Sequence, residues 1–111
     1  MTNLLQDAHS KKIPLALAVP IGTTTIVAAQ ADAYIYVHEI IGDLAGAGNL
    51  TIMAGARTLA AFVLDAGQGI TLQDEPGMDG VPRLECKPGE ALIFVVTGGT
   101  FNGALDYSLR Y

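Results

Sequence analysis

The sequence holds one cysteine, no tryptophan and two histidines, and only 15% of its 111 residues are charged. Each shortage excludes something. The single thiol, Cys86, cannot close an internal disulfide, so the fold does not depend on oxidation. The histidines, His9 and His38, are too few for the site of two or three His and a Glu that facing β-strands can build around a metal. His38 beside Glu39 does not supply one, because neighbours in a strand point to opposite faces. The six basic residues, Lys11, Lys12, Arg57, Arg83, Lys87 and Arg110, are scattered and form no stripe, which argues against a nucleic-acid partner. Long hydrophobic runs are also missing. The segment Ile13–Ile21 is apolar but short, and Pro14 and Pro20 interrupt it. It reads as neither signal peptide nor membrane span, and synthesis in a cytoplasm is expected.

What remains is apolar and turn-rich. Half of the residues are hydrophobic, 13 are glycine, and the formal net charge is −5. A charged fraction well under the usual value of roughly 25% leaves much of the surface to Thr, Asn, Gln, Ser and Gly, or to another subunit. The length suits one domain that buries about two-thirds of its unfolded surface. Acidity fits solubility or docking on a basic partner.

The pattern predicts an all-β chain. Residues 1–22 read as an extended N-terminal arm, since the residue before each proline is pushed toward β or polyproline geometry. Its apolar residues Leu15, Leu17, Val19 and Ile21 need a groove, on the same subunit or on a neighbour. From residue 23 the rhythm is short strands and turns: Thr23–Gln30, Ala33–Ile41, Leu50–Ala54, Thr58–Leu64, Ile70–Gln73 and Pro82–Lys87. Gly42–Asn49 and the acidic stretch Asp74–Val81 read as loops. Glu90–Thr97 and Phe101–Tyr111 close the chain around Gly98-Gly99. The last strand alternates cleanly. The one before it is apolar on both faces, which places it inside a sandwich, under another layer, or with Ile93 and Val95 at a contact with another chain. About eight strands at regular spacing argue a jelly-roll-like antiparallel β-sandwich over residues 23–111, behind the arm.

No catalytic, cofactor-binding or metal-binding residue is assigned. Cys86 lies in an ordinary alternating strand and reads as a small buried hydrophobe. Asp74, Glu75 and Asp79 make a cluster of oxygens without the spacing of a helix-flanked calcium loop; a solvated turn is the simpler reading. Asn49-Leu50-Thr51 matches a glycosylation sequon, and Asn49 equally serves as a turn residue that opens a strand. Gly67-Gln68-Gly69 lacks the third glycine and following helix of a phosphate loop. Tyr34, Tyr36 and His38 share one face of their strand, opposite Ile35, Val37 and Ile41. That row either binds a sugar or protein outside the sandwich or fills one of its sides.

The run from Thr25 to Leu72, followed by RLECKPGEALIFVVTGGTFNGALDYSLRY, resembles a group of small jelly-roll structural proteins of tailed bacteriophages. The resemblance covers about residues 23–111 and lies in strand and turn residues. It implies no catalytic residue and no cofactor. It implies a virion protein made in the host cytoplasm: a decoration (cement) protein on the capsid surface that binds across junctions of the major capsid protein. Self-association as a trimer or dimer is expected, with no nucleic acid or membrane as partner. The alternative is a tail or fibre module that recognises a host surface glycan or protein. Interface residues are expected among Leu15, Leu17, Val19, Ile21, Tyr34, Tyr36, His38, Ile93 and Val95.

Overall fold

A computed structural model describes residues 12–73 and 84–111. Among these the chain forms nine strands: β1 (Ile13–Val19), β2 (Gly22–Val27), β3 (Tyr34–Leu44), β4 (Gly48–Ala54), β5 (Arg57–Leu64), β6 (Gly69–Gln73), β7 (Leu84–Cys86), β8 (Leu92–Val96) and β9 (Phe101–Arg110). They make two antiparallel sheets packed as a sandwich. Sheet A runs β1-β9-β3-β6, with β7 also paired to β3; sheet B runs β2-β8-β4-β5.

The pairs are nested along the chain. β4 pairs with β5, β3 with β6 and β7, β2 with β8, and β1 with β9, in alternating sheets. The cross-pairs β3–β9 and β4–β8 knit the nested hairpins into two layers. β6 and β7 occupy one lane beside β3, end to end. Gln73 of β6 lies opposite Glu39 and Leu84 of β7 opposite Val37, so the lane is interrupted at His38. The acidic stretch Asp74–Val81 lies outside the described residues.

Alternation decides which residues fill the core. Ile35, Val37, Ile40 and Leu44 of β3 meet Phe101 and Leu105 of β9 from sheet A, and Leu50, Ile52, Leu92, Phe94 and Val96 come from sheet B; all are essentially inaccessible. Phe94 and Phe101 join the layers edge to face, with ring centroids 6.1 Å apart. Gly42 and Gly103 are directly paired across β3 and β9. A Cβ on Gly42 would collide with the Phe101 ring, and one on Gly103 with the Ile41 carbonyl. Only glycine permits this approach, which is why Gly42 continues a strand that its composition suggested had ended at Ile41. β3 therefore runs on to Leu44, and the expected loop from residue 42 shrinks to the short link before Gly48.

The N-terminal boundary needs a correction. Ile13–Val19 is a strand of sheet A and not part of an arm; it pairs with β9 over its full length, from Ile13 opposite Tyr107 to Val19 opposite Phe101. The prolines misled because Pro14 sits in an edge strand, where a missing N–H is tolerated, and Pro20 lies just past the strand's end. Residues 1–11 lie outside the described residues.

Candidate interaction surface

Each sheet presents an outer face, and the register defines what stands on it. On sheet A that face carries Tyr34, Tyr36, Glu39, Ile41 and Asp43 from β3, with Asn102, Ala104, Asp106, Ser108 and Arg110 from β9 opposite them. Glu85 of β7 lies opposite Tyr36. Four carboxylates and one arginine make this face acidic.

His38 is a β-bulge residue. Val37 pairs with Tyr107 and Glu39 with Asp106, so the register shifts by one residue at His38. The extra residue shifts the phase of everything after it. Ile40 turns into the core at 0% exposure, and Ile41 faces outward at 47%. The expectation that Ile41 shares a face with Ile35 and Val37 is therefore overturned. Glu39 reaches the outer face, where Gln73 Nε2 donates to its Oε2 at 2.7 Å.

The Tyr-Tyr-His row is outward but does not form an open binding strip. Tyr34 is exposed, Tyr36 half-buried, and His38 buried. The rings contact in sequence, Tyr34 against Tyr36 and Tyr36 edge-on to His38. His38 Nε2 is hydrogen-bonded to Ser108 Oγ at 2.8 Å. Sequence reasoning tied neither histidine to a hydroxyl, because it could not see that the register of β3 and β9 brings residues 38 and 108 together. A serine against an imidazole nitrogen is the pairing that can activate a nucleophile. Here Ser108 is only 1% exposed, so the contact reads as a buried bond that holds the bulge. Among the described residues no group of three or more His, Cys, Asp and Glu could hold a metal ion.

Sheet B is different. Its inner residues Leu92, Phe94 and Val96 are fully buried, and the outer residues of the same strand, Ile93 and Val95, are half-buried. Thr25 and Met53 flank Ile93; Thr23 and Thr51 flank Val95. Beyond them the edge strand β5 adds Thr58, Ala61 and Val63, opposite Met53, Thr51 and Asn49. Val63 is 85% exposed. Among the described residues, the part of this face spanned by these positions carries no charge. β-Branched side chains suit a pleated surface, but nothing in the packing of one sandwich requires an apolar outer side here.

Charges stand at one end of sheet B. Arg57, after the Gly55 turn, donates from Nη2 to Glu90 Oε1 at 2.7 Å and from Nε to Oε2 at 3.2 Å. Glu90 Oε1 also accepts from the Lys87 backbone N–H. The Arg57 guanidinium first, and the Lys87 N–H second, hold the Glu90 carboxyl down at about 2. This clamp ties the β4–β5 turn to the turn that carries the chain from β7 to β8.

The remaining expected interface residues divide. Leu17 and Val19 face the core, Leu15 packs half-buried against it, and Ile21 is exposed past the end of β1. The first three are structural because β1 belongs to the sheet. Cys86 is fully buried, and burial pushes its thiol up to about 11. Comparison with known proteins returns no matching family model, no similar curated protein and no similar solved structure.

Proposed function

We propose that this chain is a non-enzymatic structural protein of a tailed-phage particle, a decoration protein that binds across junctions of the major capsid protein and stabilises the shell. The resemblance over residues 23–111 supplies the class, and we read the nested strand order as that of a jelly roll. The observation that carries the reading is the outer side of β8. The core is complete with Leu92, Phe94 and Val96, yet Ile93 and Val95 stand among Thr51, Met53 and Val63 on a face without charge. A protein that works by burying surface has a use for such a face.

The mechanism is thermodynamic. Contacts available only on the assembled shell stabilise it by mass action, and many weak contacts on one lattice act together. The test is to strip particles of this protein and add it back purified. Saturable rebinding, with recovery of the shell's resistance to heat, supports the reading. Particles that stay bare at saturating protein refute it.

A further inference from the structure

We propose that Asn102-Gly103 is a site of spontaneous covalent modification that the fold holds shut, so that opening of β9 becomes irreversible. The chain has three asparagines, Asn3, Asn49 and Asn102, and of these only Asn102 precedes a glycine. In that dipeptide the backbone nitrogen of Gly103 can attack the side-chain amide carbon of Asn102. A new C–N bond forms, the bond to the amide nitrogen breaks, and ammonia leaves with the proton that Gly103 gave up. The product is a five-membered cyclic imide. Water then opens it at either carbonyl. One opening leaves an aspartate. The other leaves isoaspartate, in which the main chain runs through the former side chain and is one carbon longer. Water is the only co-reactant, and the chemistry does not depend on what the protein binds.

The fold both creates this hazard and contains it. Gly103 cannot be exchanged, because a Cβ there would meet the Ile41 carbonyl and the Gly42 Cα. The close approach of β3 and β9 thus leaves Asn102 followed by a residue with no side chain to hinder attack. An Asn-Gly pair left to itself favours a tight turn. Here it is held extended in an inner strand, with Ala18 and Leu17 of β1 opposite on one side and Asp43 and Gly42 of β3 on the other. Ring closure needs Asn102 to turn about ψ out of the antiparallel range near roughly +135°, and it needs the Gly103 N–H released from the ladder. Neither happens while both neighbours are paired. The Asn102 side chain is itself exposed, so the backbone pairing protects it and not exclusion of water. After reaction the strand no longer fits. An aspartate at position 102 stands directly opposite Asp43, on a face that already carries Glu39, Glu85 and Asp106, and like charges directly opposite destabilise a sheet. Isoaspartate instead puts every later residue of β9 out of register with two fixed neighbours.

The experiment holds the purified full chain in native buffer and in urea above its unfolding midpoint, and follows position 102 by peptide mass mapping. Aliquots are diluted out of urea, and the fraction that regains the native circular dichroism is measured. In urea Asn102 should react far ahead of Asn3 and Asn49, each of which a leucine follows. In native buffer the reaction should be slower by at least roughly a thousandfold, in keeping with the small unfolded fraction of a stable domain. The refoldable fraction of the wild type should fall in step with modification, while Asn102→Ser and Asn102→Gln keep theirs. Native reaction within roughly tenfold of the unfolded rate overturns the proposal, because the pairing then does not hold the site shut. Modified chains that refold as well as unmodified ones overturn it too. If both variants lose refoldability as fast as wild type, the cause lies at another site and the proposal is equally lost.

Discussion

Leu17 tests the correction of the arm to a strand. If β1 is part of sheet A, Leu17→Ala removes a side chain that is 6% exposed and stands opposite Gly103, where no side chain can fill the gap from β9. Leu→Ala in a core costs about 2–5 kcal/mol, and an edge strand can settle inward, so the low half of that range applies, about 2–3 kcal/mol. At this length each kcal/mol moves the melting temperature by roughly 4 °C, which predicts a loss of about 8–12 °C. Ala16 and Ala18 are the internal control. They sit on the same strand, point to the outer side and are exposed, so Ala16→Ser and Ala18→Ser should stay within about 0.5 kcal/mol of wild type. Urea unfolding followed by circular dichroism reads all three. Equal, small effects at positions 16, 17 and 18 would refute the docked strand and restore the arm. Chains truncated at residue 12 and at residue 20 extend the test. The first keeps β1; the second removes Leu17 and Val19 and uncovers Phe101 and Leu105, and should not fold stably.

Other positions give separate checks. Gly103→Ala should lower stability by about 1–3 kcal/mol, because its Cβ meets the Ile41 carbonyl and the central β3–β9 pair must shift; thermal unfolding measures it. Glu90 is held near 2 against an ordinary 4.5, so its contribution is complete above about 4.5 and is lost as pH falls through 2. Glu90→Gln should accordingly be less stable than wild type at neutral pH, with the gap closing toward pH 2, and urea midpoints across pH would show a constant gap if the Arg57 pair were irrelevant. Cys86 should resist a thiol reagent in the native state and react at the rate of unfolding, since burial both hides it and holds it protonated; fast native labelling would contradict its place in the core. Ser108→Ala should cost about 1–3 kcal/mol by removing the hydroxyl from a buried hydrogen bond with His38, read as a shift of the His38 imidazole resonances together with the unfolding midpoint.

How far the sequence could be read depended on whether the signal was local. Alternation in Phe101–Arg110 and Leu50–Ala54 showed the strands and their inner faces, because a period of two needs no partner to be recognised. The apolar outer side of β8 was legible for the same reason. What was hidden depended on pairing. β1 was obscured by Pro14, which an edge strand tolerates because it pairs on one side only, and by Pro20, which lies just past its end. Gly42 marked a loop until Gly103 and the Phe101 ring were placed against it.

The bulge at His38 is the strongest case. Read with an unbroken period, Tyr34, Tyr36, His38 and Ile40 form one face and Ile35, Val37, Glu39 and Ile41 the other, so either face has a misfit. The first mixes a buried-type isoleucine with polar rings, and the second puts Glu39 in the core. One inserted residue removes both faults, sending Ile40 in and Glu39 out. The misfit on each face was itself the evidence for a phase shift, since a buried unpaired carboxylate costs far more than a bulge. The same logic applied to β8 yields no such repair. No single insertion among Leu92, Ile93, Phe94, Val95 and Val96 makes either face polar, and the strand pairs without a break against β4 from Leu92 to Val96. The apolar outer side of β8 belongs to the strand's own residues and is no error of phase, which is why that face, and not the tyrosine row, carries the proposed capsid contact.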